Sequence, residues 1–405
     1  MIIFNLVLLQ PGYDWGRLVY REKNKHIIFI TVTALFWFSL YSYVPIFPGY
    51  IEKSGASHGM TGIIIGSYGF VQMLVRIPLG IVSDRLNRRK IFIILGILFS
   101  LISGLGLWLF NSAWSMLIYR SMAGMAAASW VAFSILFSSY YKSEEATKAV
   151  GYILAANNSG QVLAMLAGSA FAGWYGEKSS FLLAAVAAVI GLIIGVFIVE
   201  NTNINNKPME IRQLFAVAKS KSLMIMSVLS ILLQFITFAT VYGFTPIVAE
   251  SLGANSNQLG LLTALSVLPS IPAVALSGSL FGRKYGEKKT LVYGFAVTAL
   301  TCMAIPFIRS FPMLVVTQFV GGFGRGIVAP LLMGLSIKNF DESKRGSAMG
   351  FYQAIYGLGM FSGPVIVGFI SDMASLNIGF FITAFIGFIA AIIVKICVPS
   401  NSVNT

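Results

Sequence analysis

Three arginines, Arg76, Arg120 and Arg325, lie inside long apolar segments of the 405-residue chain. A charge at the centre of a membrane helix costs at least about 2.5–3.5 kcal/mol, so such a residue usually faces a cavity or a partner. All 14 acidic residues fall in tails, loops or segment ends, which leaves no carboxylate at mid-depth to pair with the arginines. Since guanidinium groups bind carboxylates and phosphates through paired hydrogen bonds, the pattern favours a small-molecule substrate with an anionic group.

Arg325 is the clearest of the three, because the segment GGFGRGIVAP surrounds it with glycines that let another backbone approach. Pro330, further along the segment, can kink or break the helix. We expect Arg325 to contact substrate; the alternative is that it caps free carbonyl groups of a broken helix. Arg76 lies about two turns from a segment end, so its side chain could reach the membrane surface, and structural and functional roles stay equally open.

Other polar side chains in the apolar segments could line the same cavity, although hydrogen bonds between helices would also explain each of them. The candidates are Tyr41, Asn157, Asn158, Gln161, Gln234, Tyr242, Gln318, Tyr352, Gln353 and Tyr356, together with Arg120 and Arg325. The lack of an acid at mid-depth argues against a pump selective for cations. Proton coupling could instead use Glu52, Glu250 or Asp372 at segment ends, or a proton carried by the substrate.

The elements that must position these residues are membrane helices. The chain is 57% hydrophobic and 10% charged, whereas soluble domains carry about 25% charged residues. Apolar runs long enough to cross a hydrocarbon core of about 30 Å recur along the whole chain, which predicts an all-α polytopic membrane protein in the lipid bilayer. The twelve expected spans are 27–50, 60–83, 91–110, 114–138, 149–173, 181–199, 223–248, 258–281, 290–308, 312–336, 348–371 and 377–397.

The net charge of +14 follows the topology of these spans. With twelve spans both termini lie on one side, and most Lys and Arg residues fall on that side, as the positive-inside rule describes for the cytoplasm. We therefore expect a plasma-membrane protein with cytoplasmic termini and no nucleic-acid partner. Residues 1–10 are expected to form a tail rather than a signal peptide.

The residue inventory points away from catalysis. Two cysteines exclude a disulfide framework, and two histidines cannot form a metal site alone. The sequence shows no Walker-type phosphate loop, no nucleophile elbow and no soluble domain large enough for an active site. We expect no enzymatic activity, no cofactor and no metal, in a monomeric protein.

Glycine positions reveal an internal repeat. At a constant offset, more glycines of the first half meet glycines of the second than chance predicts. The matched pairs are Gly55 with Gly253, Gly62 with Gly260, Gly80 with Gly278, Gly96 with Gly294, and Gly124 with Gly322. The expected domains are a tail 1–26, a six-helix bundle 27–199, a linker 200–222, a second bundle 223–397 and a tail 398–405. Parallel repeats of this kind build alternating-access carriers with the substrate site between the halves.

One charged loop, GIVSDRLNRRK at 80–90, follows the second span. Its pattern Gly80-x-x-x-Asp84-Arg85-x-Asn87-Arg88-Arg89 resembles the signature loop of the major facilitator superfamily, and the resemblance extends over residues 27–397. The family usually has Gly where this chain has Asn87, and Asn tolerates the left-handed backbone needed there. The resemblance is strongest to twelve-helix drug and metabolite exporters. It implies a carrier of two pseudo-symmetric six-helix bundles.

In that family the loop acts as a cytoplasmic latch between the halves in the outward-open state. The resemblance gives this role to Gly80, Asp84, Arg85, Arg88 and Arg89; we call residues 80–90 the latch loop. Asp84 ends a helix, where the dipole disfavours an anion, and the eleventh span offers a free N-terminus near Gly350. The alternative is a positive-inside loop that happens to include one acid. The second half has Gly282 at the matching position, so its loop lacks the anion.

Two further segments resemble family motifs. Arg120, in RSMAGMAAA, matches the Arg-x-x-x-Gly motif of the fourth span, with Ala123 where Gln is usual. The eleventh span holds Gly350, Gly359, Gly363 and Pro364 at the spacing of the antiporter motif, whose fifth-span copy is degraded. Small residues at these spacings also allow close helix packing, which is a sufficient structural explanation.

The expected function is secondary active transport by alternating access. The aromatic first span and the weak antiporter motifs favour efflux of a small amphipathic or anionic organic compound by antiport, with a proton as the expected coupling ion. Uptake of an organic anion is an alternative that the three arginines permit equally well. A nutrient sensor that keeps the carrier fold without turnover is a further alternative.

Overall fold

The computed structural model describes residues 15–142, 145–201 and 216–399. The ends of both expected tails and most of the expected linker lie outside the described residues. Within them the chain forms twelve consecutive helical passes, α1 to α12, and the predicted fold class is confirmed. Ten of the passes are long and apolar enough to cross a membrane by length and composition. Polar residues, including the Asn157–Asn158 pair, lower the hydropathy of the fifth pass.

The first half contains six passes. These are α1 at Trp15–Tyr41, resuming as Phe47–Lys53; α2 at His58–Leu86; α3 at Lys90–Leu109; α4 at Ala113–Ala128, resuming as Trp130–Ser138; α5 at Ala146–Tyr175; and α6 at Lys178–Gly195. Helix α1 begins well before the predicted residue 27, because the polar stretch WGRLVYREKNK is rich in good helix formers.

The second half contains the other six. These are α7 at Lys221–Ala239, continued by a π-helical turn Thr240–Phe244 and by Thr245–Ser251; α8 at Ser256–Val267, resuming as Ser270–Leu276; α9 at Glu287–Ala304; α10 at Phe311–Ile337; α11 at Glu342–Ile355, resuming as Gly357–Met373; and α12 at Leu376–Cys397.

A proline residue interrupts α8 rather than α10. Pro330 could have kinked or broken its helix, but α10 runs unbroken through it; membrane helices tolerate an internal proline when neighbouring groups satisfy the freed backbone. The break lies instead in α8, between Val267 and Ser270, where Pro269 has no N–H group to donate to the helix.

The two halves meet mainly along α2 and α11, and along α5 and α8. Glycines allow the first contact: a Cβ atom on Gly62 of α2 would lie 2.1 Å from the carbonyl oxygen of Pro364 in α11. With twelve passes, α1 begins and α12 ends on the same side, which we call the termini side; the other is the far side. The α1–α2 connection and the end of α11 lie on the far side.

Candidate substrate site and gates

All three mid-depth arginines are buried, with exposed fractions of 3% for Arg76, 4% for Arg120 and 8% for Arg325. Buried guanidinium groups keep their charge, so each needs partners close by. In every case a neighbouring helix supplies these partners. The three sites differ in what the partners are.

Arg120 of α4 sits in a cage of aromatic rings. Its Nη1 donates a hydrogen bond to the hydroxyl of Tyr43 at 3.0 Å. The guanidinium carbon lies 4.5 Å from the ring centre of Tyr68 and also faces the rings of Tyr43 and Phe47. A desolvated cation over an aromatic face gains about 2 kcal/mol or more. None of these three rings was among the predicted site residues, although Tyr43 and Phe47 lie in the aromatic run FWFSLYSYVPIF of the first span.

Arg76 of α2 joins the two halves. Its Nη1 donates to the hydroxyl of Tyr356 at 3.0 Å and to the carbonyl oxygen of Gln353 at 3.3 Å, both in α11. The guanidinium also lies against the Tyr356 ring. The expectation that Arg76 could extend to the membrane surface is wrong, because partners on α11 satisfy the side chain within the interior.

Arg325 of α10 contacts a carbonyl group at the break in α8. Its Nη2 donates to the carbonyl oxygen of Ser266 at 3.2 Å, just before the helix ends at Val267. This is the kind of contact that the capping alternative describes, although the carbonyl belongs to α8 rather than to α10. Contact between Arg325 and substrate stays a prediction.

Aromatic side chains from both halves meet beside Arg120. We call Trp37, Tyr41, Tyr68, Phe238 and Tyr242 the aromatic layer. The ring of Tyr41 contacts those of Trp37 and Tyr242, at centroid distances of 5.8 Å each. The ring of Phe238 stacks on that of Tyr68 at 6.1 Å and contacts Tyr242 at 5.1 Å. Of these five residues, sequence reasoning had selected only Tyr41 and Tyr242.

The predicted amide residues are distributed unevenly. Half-buried positions, from which a side chain can reach a cavity, are held by Asn157, Asn158, Gln161, Gln234 and Gln353. Gln161 donates a hydrogen bond to Asn157 one turn away. Gln318 is fully buried in α10, and its Oε1 has no hydrogen-bond partner among the described residues.

The latch loop closes on its own half of the molecule. Asn87 ends α2 with a φ of 49°, so the predicted left-handed backbone is confirmed. The Asp84 carboxylate accepts a hydrogen bond from Nη2 of Arg89 at 2.8 Å, and Arg89 is only 1% exposed. Arg85 and Arg88 are exposed. A Cβ atom on Gly80 would lie 3.8 Å from the Val131 side chain, an ordinary van der Waals distance. A latch contact between Asp84 and α11 stays a prediction.

A residue that sequence reasoning overlooked anchors this loop. The carboxylate of Glu200, beyond α6, accepts hydrogen bonds from the backbone N–H groups of Arg89 at 3.1 Å and Lys90 at 2.8 Å. N–H groups at the start of a helix such as α3 have no acceptor within the helix, so a carboxylate supplies one. A negative charge at this end also interacts favourably with the helix dipole. Glu200 therefore fixes where the latch loop ends.

On the far side, charged groups hold the halves together; we call Glu52, Lys53, His58, Glu177, Glu250 and Asp372 the far gate. The Asp372 carboxylate at the end of α11 accepts hydrogen bonds from the backbone N–H groups of His58 and Gly59, each at 2.9 Å. An acid of the second half thus caps a helix of the first. Lys53 lies between Glu177 of its own half at 2.6 Å and Glu250 of the other at 3.4 Å.

Burial shifts the titration of two far-gate residues. Burial raises the pKa of Glu52, and the hydrogen bond and charge of His58, 2.5 Å away, oppose this. Burial alone would lower the pKa of Lys53, but hydrogen bonds and attraction from Glu177 and Glu250 outweigh it and raise the pKa. Lys53 is therefore firmly cationic in the closed gate.

The glycines of the eleventh span lie where α11 is closest to α7. A Cβ on Gly359 would lie 2.0 Å from the carbonyl oxygen of Ile231, and one on Gly363 would lie 2.4 Å from that of Phe235. Pro364 packs on the other side, against Gly62 of α2. Gly350 lies in the first segment of α11. Helix α11 is thus held tightly by both halves.

Proteins of similar sequence include one that is named an efflux pump. A multi-drug resistance efflux pump PmrA homolog of Lactococcus lactis is 23% identical over 368 residues, which cover 87% of this chain and 91% of that protein. Multidrug resistance protein MdtG of Salmonella paratyphi C is 22% identical, covering 84% and 87%. An uncharacterized MFS-type transporter of Methanocaldococcus jannaschii is 23% identical, covering 88% and 93%.

Solved structures share the fold at lower identity. A bacterial homolog of the human lysosomal transporter Spinster, inward-facing and unoccupied, has a TM-score of 0.78 at 14% identity, covering 95% of this chain and 98% of that one. The nucleoside transporter NupG has a TM-score of 0.74 at 16% identity, covering 93% and 100%. The human organic anion transporter MFSD10 has a TM-score of 0.67 at 17% identity, covering 95% and 100%.

The sequence model of the family described as the Major Facilitator Superfamily matches residues 29–244 and 227–404, which together span nearly the whole chain. The two matches cover the two six-helix halves in turn. The fold that these two halves form is that of a membrane transporter. This chain belongs to the Major Facilitator Superfamily.

Proposed function

We propose that this transporter exports a small amphipathic organic compound by alternating access. The aromatic layer is the observation that carries the proposal, because rings from both halves meet there and would contact an apolar substrate body. Half-buried amides such as Asn158 and Gln234 supply polar contacts without fixing one orientation, which suits a site for amphipathic molecules. The relative named an efflux pump and the relative named a multidrug resistance protein support the outward direction.

The orientation follows from the distribution of charge. The excess of Lys and Arg on the termini side supports a cytoplasmic location for both termini, in the plasma membrane. The far gate then faces the outside, and the structure corresponds to a carrier closed to the outside. Since one chain supplies both halves of the site, a monomer is sufficient for transport.

A proton is the coupling ion that the residues support best. The described acids lie at the membrane surfaces, and Glu52, Glu250 and Asp372 gather at the far gate, within reach of external protons. Protonation there would weaken the contacts that close the gate. This places proton binding at the gate rather than beside the substrate.

Uptake of an organic anion is the second candidate. The three buried arginines favour it, and MFSD10, which shares the fold, is named an organic anion transporter. A non-transporting sensor is a further possibility, which predicts binding without flux.

Flux into inverted membrane vesicles under an imposed pH gradient, acidic inside, tests these candidates. Amphipathic dyes and aromatic carboxylates serve as probes. Export in exchange for protons predicts accumulation when the vesicle interior is acidic, and accumulation only when the interior is alkaline would overturn it in favour of uptake together with protons. Gly62→Val is the control for carrier-independent flux, because its side chain would collide with the Pro364 backbone and prevent far-gate closure.

A further inference from the structure

We infer that Arg76 and Arg120 together bind the anionic group of an amphipathic substrate, a carboxylate, sulfonate or phosphate, at the junction of α2, α4 and α11. The inference rests on the proposed transport function and gives its site a ligand chemistry. It assigns Arg76, which sequence reasoning left undecided, to substrate binding.

The geometry starts from one face of α2. Tyr68, Gln72 and Arg76 follow one another at intervals of four residues, so they form a continuous stripe along the helix. All three are buried. Arg120 lies over the ring of Tyr68 at one end of this stripe, and Arg76 occupies the other end. The charges of both guanidinium groups act on the hydroxyl group of Tyr68.

The charges of these two groups are not compensated. Arg120 is held by a hydroxyl and by aromatic rings, and Arg76 by a hydroxyl, a carbonyl and a ring. Within residues 15–142, 145–201 and 216–399, neither guanidinium forms an ion pair with a carboxylate. A buried charge without a counter-charge is costly. An anionic ligand would remove this cost, whereas a neutral or cationic one would not.

Unused hydrogen-bonding groups mark the same stripe. The Nε atoms of Arg76 and Arg120 and the Oε1 atom of Gln72 have no hydrogen-bond partner among the described residues. A guanidinium offers five N–H donors, and the hydrogen bonds that each arginine makes to the described residues use only Nη1. The stripe thus offers donors at both ends for an anion and an amide between them for a neighbouring polar group.

Access to Arg76 depends on its partners in α11. Tyr356 and Gln353 are half-buried, so a ligand arriving between the halves meets them first. An anion bound to Arg76 would take the place of the Tyr356 hydroxyl, because charged hydrogen bonds are stronger than neutral ones. Ligand binding would then release a contact that joins the two halves at mid-depth.

The test measures binding rather than flux. Full-length protein in nanodiscs of phosphatidylcholine is titrated with pyrene-1-butyrate and with its uncharged methyl ester, read by energy transfer from tryptophan. We expect the carboxylate to bind at least about tenfold more tightly than the ester, the gain typical of charge-assisted hydrogen bonds. Arg76→Gln and Arg120→Gln should each reduce this preference to about twofold or less, and the two lysine variants should restore part of it.

Two further variants separate binding from a structural role. Tyr356→Phe removes the hydroxyl that competes for Arg76 and should tighten carboxylate binding several-fold without affecting the ester. Arg309→Gln, at an exposed position in the α9–α10 loop, should leave the preference unchanged. Unaltered preference in both glutamine variants would overturn the inference. If the glutamine variants fail to fold, the Tyr356→Phe variant decides the question. A folded Tyr356→Phe variant that binds the carboxylate no better than the parent protein would also overturn the inference.

Phosphatidylglycerol nanodiscs distinguish the two sources of such an anion. If carboxylate binding is lost in those discs and this loss depends on Arg76, the site binds a lipid headgroup. If carboxylate binding is kept, the site binds a free organic anion. The outcome is independent of transport direction. Charge-selective binding without accumulation in inverted vesicles would keep this site and reject export, and accumulation without charge selectivity would do the reverse.

Discussion

Replacing Asp372 with Asn tests whether the charged cap on α2 keeps the far gate closed. The carboxylate accepts hydrogen bonds from the N–H groups of His58 and Gly59, both at 2.9 Å. An Asn side chain has the same shape, but only one of its two terminal atoms can accept a hydrogen bond, and it carries no charge. The other terminal atom would place N–H groups against an N–H donor.

The expected effect follows from these two hydrogen bonds. A hydrogen bond to a charged group contributes about 1.5–3 kcal/mol, and a neutral one about 0.5–1.5 kcal/mol. Because Asp372 is exposed and solvent screens its charge, the low end of the charged range applies. Exchanging two such bonds for one neutral bond costs the closed gate about 2 kcal/mol, a shift of about 30-fold in the gate equilibrium toward opening. The favourable interaction with the α2 dipole is lost as well.

Cysteine labelling of purified protein measures this shift. Thr61 is completely buried one turn into α2, so Thr61→Cys in a Cys397→Ser background reports when the far gate opens. We expect the labelling rate with a polar maleimide to rise at least about tenfold in Asp372→Asn, slightly below the full shift in the equilibrium. Asp341→Asn is the matched control, since it makes the same substitution at the exposed start of α11. A labelling rate within a factor of about two of the parent protein would show that the charge of Asp372 does not keep the far gate closed.

Four further predictions concern other sites. Arg325→Ala should abolish substrate flux in vesicles while leaving expression intact, and normal flux would exclude substrate contact. Asp84→Asn should shift the carrier toward states open on the termini side, read by cysteine accessibility there, and no shift would leave Asp84 without a latch role. Glu200→Gln should lower the free energy of unfolding by about 1–2 kcal/mol, because it weakens the cap on α3, and an unchanged Tm would contradict this. Because burial raises the pKa of Glu52, the folded protein binds a proton there more readily than the unfolded chain, and this residue makes stability fall as pH rises through its folded-state pKa. Melting curves at several pH values should therefore show that Tm depends less on pH in Glu52→Gln than in the parent protein. The neighbouring groups His58, Glu250 and Asp372 are present in both proteins. Parallel profiles of Tm against pH would exclude Glu52 as the source of the pH dependence.

The sequence predicted the features that the membrane itself dictates. The thickness of the bilayer fixes the length of a span, so apolar runs such as that of α3 identify helices without knowledge of their neighbours. Local backbone conformations were also predictable without knowledge of distant residues, because the conformation of Asn87 depends on the loop that contains it. The small residues near Gly359 and Gly363 were recognisable because their spacing lies within one helix.

Partners that come from distant parts of the chain were not predictable. Arg76 meets Tyr356, which lies 280 residues later, and no periodicity encodes that pairing. The carboxylates of Glu200 and Asp372 were visible as isolated acids, but their role depends on which helix start they face. Pro330 and Pro269 show the same limit, because only the packing around a proline decides whether its helix continues.

The cap on α2 has a consequence for how the protein is made. The N–H groups of His58 and Gly59 emerge from the ribosome more than 300 residues before the carboxylate of Asp372 that accepts them. Until then the start of α2 has only the side chain of Ser57, which accepts from Met60. Lipid headgroups or water must satisfy the remaining donors during synthesis. Closure of the far side is therefore among the last events of assembly. A truncated chain that ends before α11 would reach the membrane without the Asp372 carboxylate at this end of α2.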